Sequence, residues 1–201
     1  MATIVRLSNL YRRIQLTVRK APPADIAAVQ IGGISYIFFV DSSGCIAYYH
    51  GGSVVELQSG ALYNKVDRIM VPIDADGNVG PVRVNANNKD IAAIAYKVCN
   101  SKQIRVYYID SKNTVKEICW SNGNNQIWST GELGKKKIFA VVEGSSISAN
   151  VMEEGEKTYL KVFCNGRDTE GHLMCLFRQT DHNVWAEATL TGLQHHTPNV
   201  F

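Results

Sequence analysis

No stretch of this 201-residue chain approaches the ~20 consecutive apolar residues that a membrane-spanning helix needs, so no membrane span is expected. No Asn-x-Ser/Thr sequon occurs. The cysteines (Cys45, Cys99, Cys119, Cys164 and Cys175) are five, an odd number, and no two are spaced as CxxC. That argues against a disulfide framework and against a zinc site. Buried, reduced thiols are the expectation, and they point to the cytoplasm, or to export without a classical signal peptide. Catalytic signatures are missing as well: there is no GxSxG, HExxH or phosphate-loop sequence. The five histidines form no ligand pattern, and His195-His196 reads as exposed tail. No cofactor is therefore expected. Charge is sparse, with 19% Asp, Glu, Lys and Arg and a net charge of +3. Such a balance does not call for nucleic acid. The longest basic run, Lys135-Lys136-Lys137, has no interleaved aromatics and reads as a solvated loop. Proline is scarce too. Pro22, Pro23 and Pro198 lie toward the ends, and Pro72 and Pro81 flank one loop.

What is present is repetition. Hydrophobic residues make up 45% of the chain, a globular proportion. Asp25-Ile26-Ala27-Ala28-Val29 recurs as Asp90-Ile91-Ala92-Ala93-Ile94, with a weaker copy at Ser146-Ile147-Ser148-Ala149. Each copy leads into a second run: Tyr36–Asp41, Arg105–Asp110 and Lys161–Cys164. A third run follows at Cys45–Tyr49, Val115–Trp120 and Leu173–Phe177. A fourth is visible at Ile127–Thr130 and Val184–Glu187. These runs are short, rich in β-branched and aromatic residues, and separated by turn residues such as Ser42-Ser43-Gly44 and Ser111-Lys112-Asn113. Four short antiparallel strands per unit, over three repeated units, is the pattern that predicts an all-β fold, a β-propeller of about three four-stranded blades. An immunoglobulin-like sandwich would not explain the threefold internal repeat.

The expected blades span about residues 25–60, 90–134 and 146–192, within a propeller domain covering 25–201, with an insertion at 61–88. Residues 1–24 are basic and carry no acid. They read as a strand or a helix, with a mitochondrial presequence as the alternative. In the insertion, Asp74-Ala75-Asp76-Gly77-Asn78 has calcium-like spacing. Val79 and Asn85 occupy the loop positions where an EF-hand needs Gly and Glu, so an Asp-Gly turn is the reading.

The stretch Gln103–Asp110, with Val115–Trp120, Trp128–Gly134 and Gly144–Ile147, resembles a repeat of the fungal fucose-specific lectins. The resemblance is good over about residues 90–150 and thin over 25–60 and 146–192. It implies a six-bladed propeller with sugar sites between neighbouring blades. One blade would supply an Arg and a Glu, and the next would supply aromatic side chains. Strand geometry agrees at one place. A three-residue hairpin loop at Ser111–Asn113 puts Arg105 and Glu117 on one face of two strands as diagonal neighbours. A guanidinium donates in a rigid fork and a carboxylate accepts, which together suit vicinal hydroxyls. An aromatic ring covers a sugar's apolar face.

The resemblance places Trp185 of unit three where unit two has Trp128, and Phe177 or Arg178 near the place of Trp120. Ligand contact is therefore expected from Arg105, Glu117 and Trp185, with Phe177, Arg178, Trp120 and Trp128 as further candidates. Unit one has Tyr36 and Tyr48 where unit two has Arg105 and Glu117, and unit three has Lys161 and Cys175. Two of the three sites thus lack the charged pair. The expected function is non-enzymatic binding of fucosylated or other glycans, since Glu117 has no acidic companion within its motif for glycoside hydrolysis. The alternative is a degenerate propeller serving as a protein-interaction module. Three blades leave open edges, so a homodimer closing a six-bladed ring is expected.

Overall fold

The structure, a computed structural model, describes residues 24–52, 63–66, 68–73, 76–123 and 127–190. The N-terminal segment up to residue 23 and the His195-His196 pair lie outside these residues. Among the described residues every regular element is a β-strand.

Three four-stranded antiparallel sheets follow one another along the chain. Blade one holds β1 (Ile26–Ile31), β2 (Ile34–Val40), β3 (Ile46–Gly52) and β4 (Tyr63–Val66). A small hairpin follows, β5 (Met70–Pro72) and β6 (Val79–Pro81). Blade two is built of β7 (Ile91–Val98), β8 (Ser101–Ile109), β9 (Val115–Ser121) and β10 (Ser129–Thr130). Blade three consists of β11 (Ile147–Glu154), β12 (Lys157–Asn165), β13 (Leu173–Gln179) and β14 (Ala186–Thr189). Within each blade the strands lie side by side in chain order, the arrangement of a propeller blade.

The first blade reaches further than the sequence reading placed it. Its fourth strand, Tyr63–Val66, falls in the stretch read as an insertion. The segment after β6 also belongs to the repeat. Val82 O accepts from Ile46 N at 2.9 Å, Val84 N donates to Gly44 O at 2.9 Å, and Asn85 N donates to Ile109 O at 2.8 Å. The next interblade segment makes the same three kinds of bond. Phe139 O accepts from Val115 N at 3.0 Å, Val141 N donates to Asn113 O at 2.9 Å, and Val142 N donates to Asn165 O at 3.1 Å. Each connector clasps the β-turn of the blade behind it and then ties onto the blade ahead. Among the described residues of this stretch, the β5–β6 hairpin is the part without a counterpart after blade two. Ile73 N donates to Asn78 O at 2.9 Å, and Gly77 has φ 80°, a conformation glycine adopts without steric cost.

The period-2 alternation of these strands decides which blade each residue meets. In β7, Ala92, Ile94 and Tyr96 join the core shared with blade three, while Ile91, Ala93 and Ala95 turn to blade one. Two apolar layers result. One packs Phe38, Val40 and Ile46 of blade one against Ile104, Val106 and Ile118 of blade two. The other packs Tyr107, Ile109 and Val115 of blade two against Leu160, Val162 and Leu176 of blade three. Blade two is thus covered on both faces.

Phe38 is fully buried against Tyr48 and Trp128, with ring centroids 5.6 and 5.7 Å away. Deleting a buried Phe side chain typically costs about 3–5 kcal/mol. Phe38→Ala should lower unfolding stability by that order, read as a drop in the urea midpoint with an unchanged slope. A drop under ~1 kcal/mol would show that this layer does not hold blades one and two together.

Candidate functional site

The 2–3 hairpin of blade two sets the site. Asp110 fixes its turn: Oδ1 accepts from Lys112 N at 2.9 Å and Thr114 N at 3.0 Å. Asn113, at φ 56°, takes the left-handed position that Asn tolerates better than most residues. Blade one repeats the device. Asp41 Oδ1 accepts from Ser43 N and Cys45 N, and Gly44 takes the left-handed position. With the turn fixed, Ile109 lies opposite Val115, Tyr107 opposite Glu117 and Arg105 opposite Cys119. Arg105 and Glu117 are therefore diagonal neighbours on one face, as the three-residue loop implied. Glu117 shares strand parity with Val115 and Arg105 with Tyr107, both in the core shared with blade three.

Arg105 Nε stands 3.8 Å from Glu117 Oε1, a loose ion pair. Nε instead donates to Tyr96 Oη at 3.1 Å, Nη2 donates to Gln103 Oε1 at 3.3 Å, and the guanidinium carbon lies 5.9 Å from the Tyr96 ring centroid. Two of the five guanidinium N–H donors are used this way. Burial opposes the charge on Arg105, yet Cys119, Tyr96 and Glu117 together hold its pKa above the ordinary value.

Glu117 is almost completely buried. Its Oε2 accepts from Leu133 N at 3.3 Å, and its backbone carbonyl accepts from Gly131 N at 2.8 Å. Oε1 has no hydrogen-bond partner among the described residues. Gly131 makes this possible, because a Cβ there would overlap the Glu117 carboxylate. Burial, then the nearby Glu117 carboxylate, pushes the Cys119 thiol up to about 12, while Arg105 and Arg178 pull it down.

Blade three supplies the opposite wall. Leu160 lies opposite Arg178 in β12–β13, as Ile104 lies opposite Trp120 in blade two. Arg178, not Phe177, therefore holds the place of Trp120. Phe177 has the opposite strand parity, sits opposite Lys161 and is partly exposed on the face turned away from blade two. The structure does not bring it to Arg105 and Glu117. Trp185 is 5% exposed and meets Tyr107 edge-on at 6.0 Å. Its indole Nε1, the Tyr107 hydroxyl and Arg178 Nε are buried without a hydrogen-bond partner among the described residues.

Trp120 and Trp128 belong to the other crevice. Trp120 lies 6.0 Å from Tyr36, and Trp128 lies 5.7 Å from Tyr48. Tyr36 and Tyr48 stand where the charged pair would be, 6.1 Å apart, and His50 packs on Tyr36. This crevice is filled by rings.

Tyr96, Tyr107, Gln103 and Gly131 stand outside the candidates that the repeat pattern marks. The alternation Arg105-x-Tyr107 was a readable signal for Tyr107. Tyr96 and Gly131 depend on strand pairing and on the return path of the loop, which no local pattern carries.

The fold and this crevice define a class: blades of a β-propeller whose candidate ligand groups converge between neighbouring sheets. The family model for the fungal fucose-specific lectin matches residues 74–194, and the chain belongs to that family. Among solved structures it is similar to the six-bladed β-propeller lectin of Aleuria aurantia, at 16% identity and TM-score 0.58. That match covers 82% of this chain and 47% of the other. It is also similar to AofleA from Arthrobotrys oligospora, at 15% identity and TM-score 0.57, covering 82% and 40%. The SapL1 lectin in complex with α-methyl fucoside matches at 16% identity and TM-score 0.54, covering 81% and 45%. The chain spans less than half the length of these structures. No curated protein sequence matches it. The structures share its fold, and the three sheets are half of such a six-bladed ring.

Four of the five cysteines are buried as expected, but Cys99 is exposed. Native protein at pH 8 should show one fast-reacting thiol with a disulfide reagent and four more after denaturation. Rapid modification of Cys119 in the folded protein would contradict its burial. Gly131→Ala should push the Glu117 carboxylate off the loop. The variant should lose ligand binding while its far-UV circular dichroism stays that of the parent.

Proposed function

We propose that this chain is a carbohydrate-binding, non-enzymatic lectin whose working site lies between blades two and three. The ligand class is a fucoside or a related sugar. The observation that carries the reading is a convergence within one crevice. Arg105 has spare donors, Glu117 offers a buried carboxylate oxygen with no hydrogen-bond partner among the described residues, and the Trp185 indole packs edge-on to Tyr107 on the same face. Buried polar groups without partners are costly, so such a cluster fits a surface that a polar ligand completes. The guanidinium would donate to ring or hydroxyl oxygens, and Glu117 Oε1 would accept from a hydroxyl. No bond is made or broken. Among the described residues Glu117 is the one buried carboxylate, whereas glycoside hydrolysis ordinarily uses two acids flanking one bond.

The proposal extends to assembly. Blade one turns Ile37 and the stacked pair Phe39 and Tyr49 to its open side, and blade three turns Lys161, Phe163 and Phe177 to its own. Two copies packing these faces head to tail would close six blades with two-fold symmetry, and two sites per ring would add avidity.

A glycan array probed with the parent chain beside Arg105→Ala tests the site. Binding that falls at least tenfold in the variant, with an unchanged circular dichroism spectrum, is the expected result. A parent chain that binds no glycan would overturn the lectin reading and turn the search to a protein partner. Light scattering should give a particle of twice the 22.2 kDa chain mass. A monomer at micromolar concentration would sink the ring.

A further inference from the structure

The blade-three wall of the crevice differs in charge from its counterpart between blades one and two. Between blades one and two the register position is filled by Trp120, a neutral ring. Between blades two and three the same position holds Arg178. Arg178 is 7% exposed and makes no ion pair among the described residues; its Nε is buried without a hydrogen-bond partner. Its guanidinium carbon lies 5.7 Å from the Trp185 ring centroid, a stack that holds the group in place. It is close enough to Tyr96, Cys119 and Glu132 to favour their ionised forms, which sets it beside the groups that surround Arg105.

The crevice therefore holds two guanidinium groups, Arg105 and Arg178, against one buried carboxylate, Glu117. Glu132, the partly exposed acid that Arg178 reaches, is already paired with Lys135 at 3.0 Å and offsets the excess only in part. A buried guanidinium with no acid at ion-pair distance is an expensive arrangement unless an anion completes it. A planar guanidinium matches a carboxylate or a sulfate through paired N–H bonds better than it matches a neutral hydroxyl.

We infer that the crevice between blades two and three selects an acidic saccharide, one carrying a carboxylate or sulfate group that Arg178 binds while Arg105 and Glu117 hold neighbouring hydroxyls. This rests on the lectin reading above and names the ligand class of that same site. It also gives the replacement of an aromatic by an arginine a purpose. The crevice gives up one stacking ring and takes in a charge contact, and Trp185 remains as the stacking partner of the arginine itself.

The test compares matched glycans on one array: a neutral fucoside, a uronate- or sialate-bearing glycan, its methyl ester, and a sulfated analogue. The parent chain should bind the acidic glycans at least tenfold more tightly than the neutral fucoside and the methyl ester, and added salt should weaken that binding steeply. Preference for the carboxylated over the sulfated glycan, or the reverse, identifies the acid. Arg178→Gln should remove the preference while leaving residual neutral binding. Arg178→Trp, which restores the ring found at Trp120, should shift selection to the neutral fucoside. Neutral and acidic glycans bound equally by the parent, or an acidic preference that survives Arg178→Gln, would overturn the inference and leave the lectin reading standing. A parent chain that binds none of the four overturns both.

Discussion

Everything in this molecule depends on one sheet laying a face on the next. A four-stranded blade cannot bury two faces alone, and a chain of three blades buries only two interblade layers. Those layers carry the largest fully buried side chains, among them Phe38, Tyr107, Leu160 and Leu176. The candidate ligand groups sit at the edge of the second layer. Their positions are therefore set by the packing that holds the molecule together, not by a separate loop scaffold.

The connectors enforce that packing. Val82–Asn85 and Phe139–Val142 each bond first to the turn of the blade behind and then to the blade ahead. Asn85 adds side-chain bonds to Asp110 O and Asn113 Oδ1, at the turn that sets the register of Arg105 and Glu117. A clasp between blades one and two thus steadies the hairpin that faces blade three. The same turn chemistry recurs at Asp41 and Asp110, so the repeat is one of hydrogen-bonding devices as well as of strands.

The two crevices show how one framework holds different chemistry. Between blades one and two, Tyr36, Tyr48, Trp120 and Trp128 fill the space with rings, and burial, reinforced by Tyr48, keeps the Tyr36 hydroxyl protonated above its usual range. Between blades two and three, charged and polar groups replace several of those rings. The substitution of a few positions on fixed strands converts a packed seam into a candidate binding seam, a common division of labour between fold and site.

The sequence by itself determined the class of the fold and the strand faces. Recurrent runs with period 2, separated by turn residues, define blades, and a three-residue turn anchored by Asp110 places Arg105 and Glu117 on one face, because side chains on a strand alternate. Local pattern did not determine where blade one ends. β4 is short and lies beyond a long connection, and the connector after β6 bonds to strands far away in sequence. Nor could it choose between Phe177 and Arg178, neighbours that face opposite sides of one strand; the pairing of Leu160 with Arg178 makes that choice. The role of Gly131 was equally hidden, since it arises only when the chain returns across the Glu117 carboxylate. Alternation is a property of neighbouring residues and can be read along the chain. Which face meets which blade, and which backbone lies against a buried acid, depends on contacts between residues distant in sequence, and only the tertiary structure decides them.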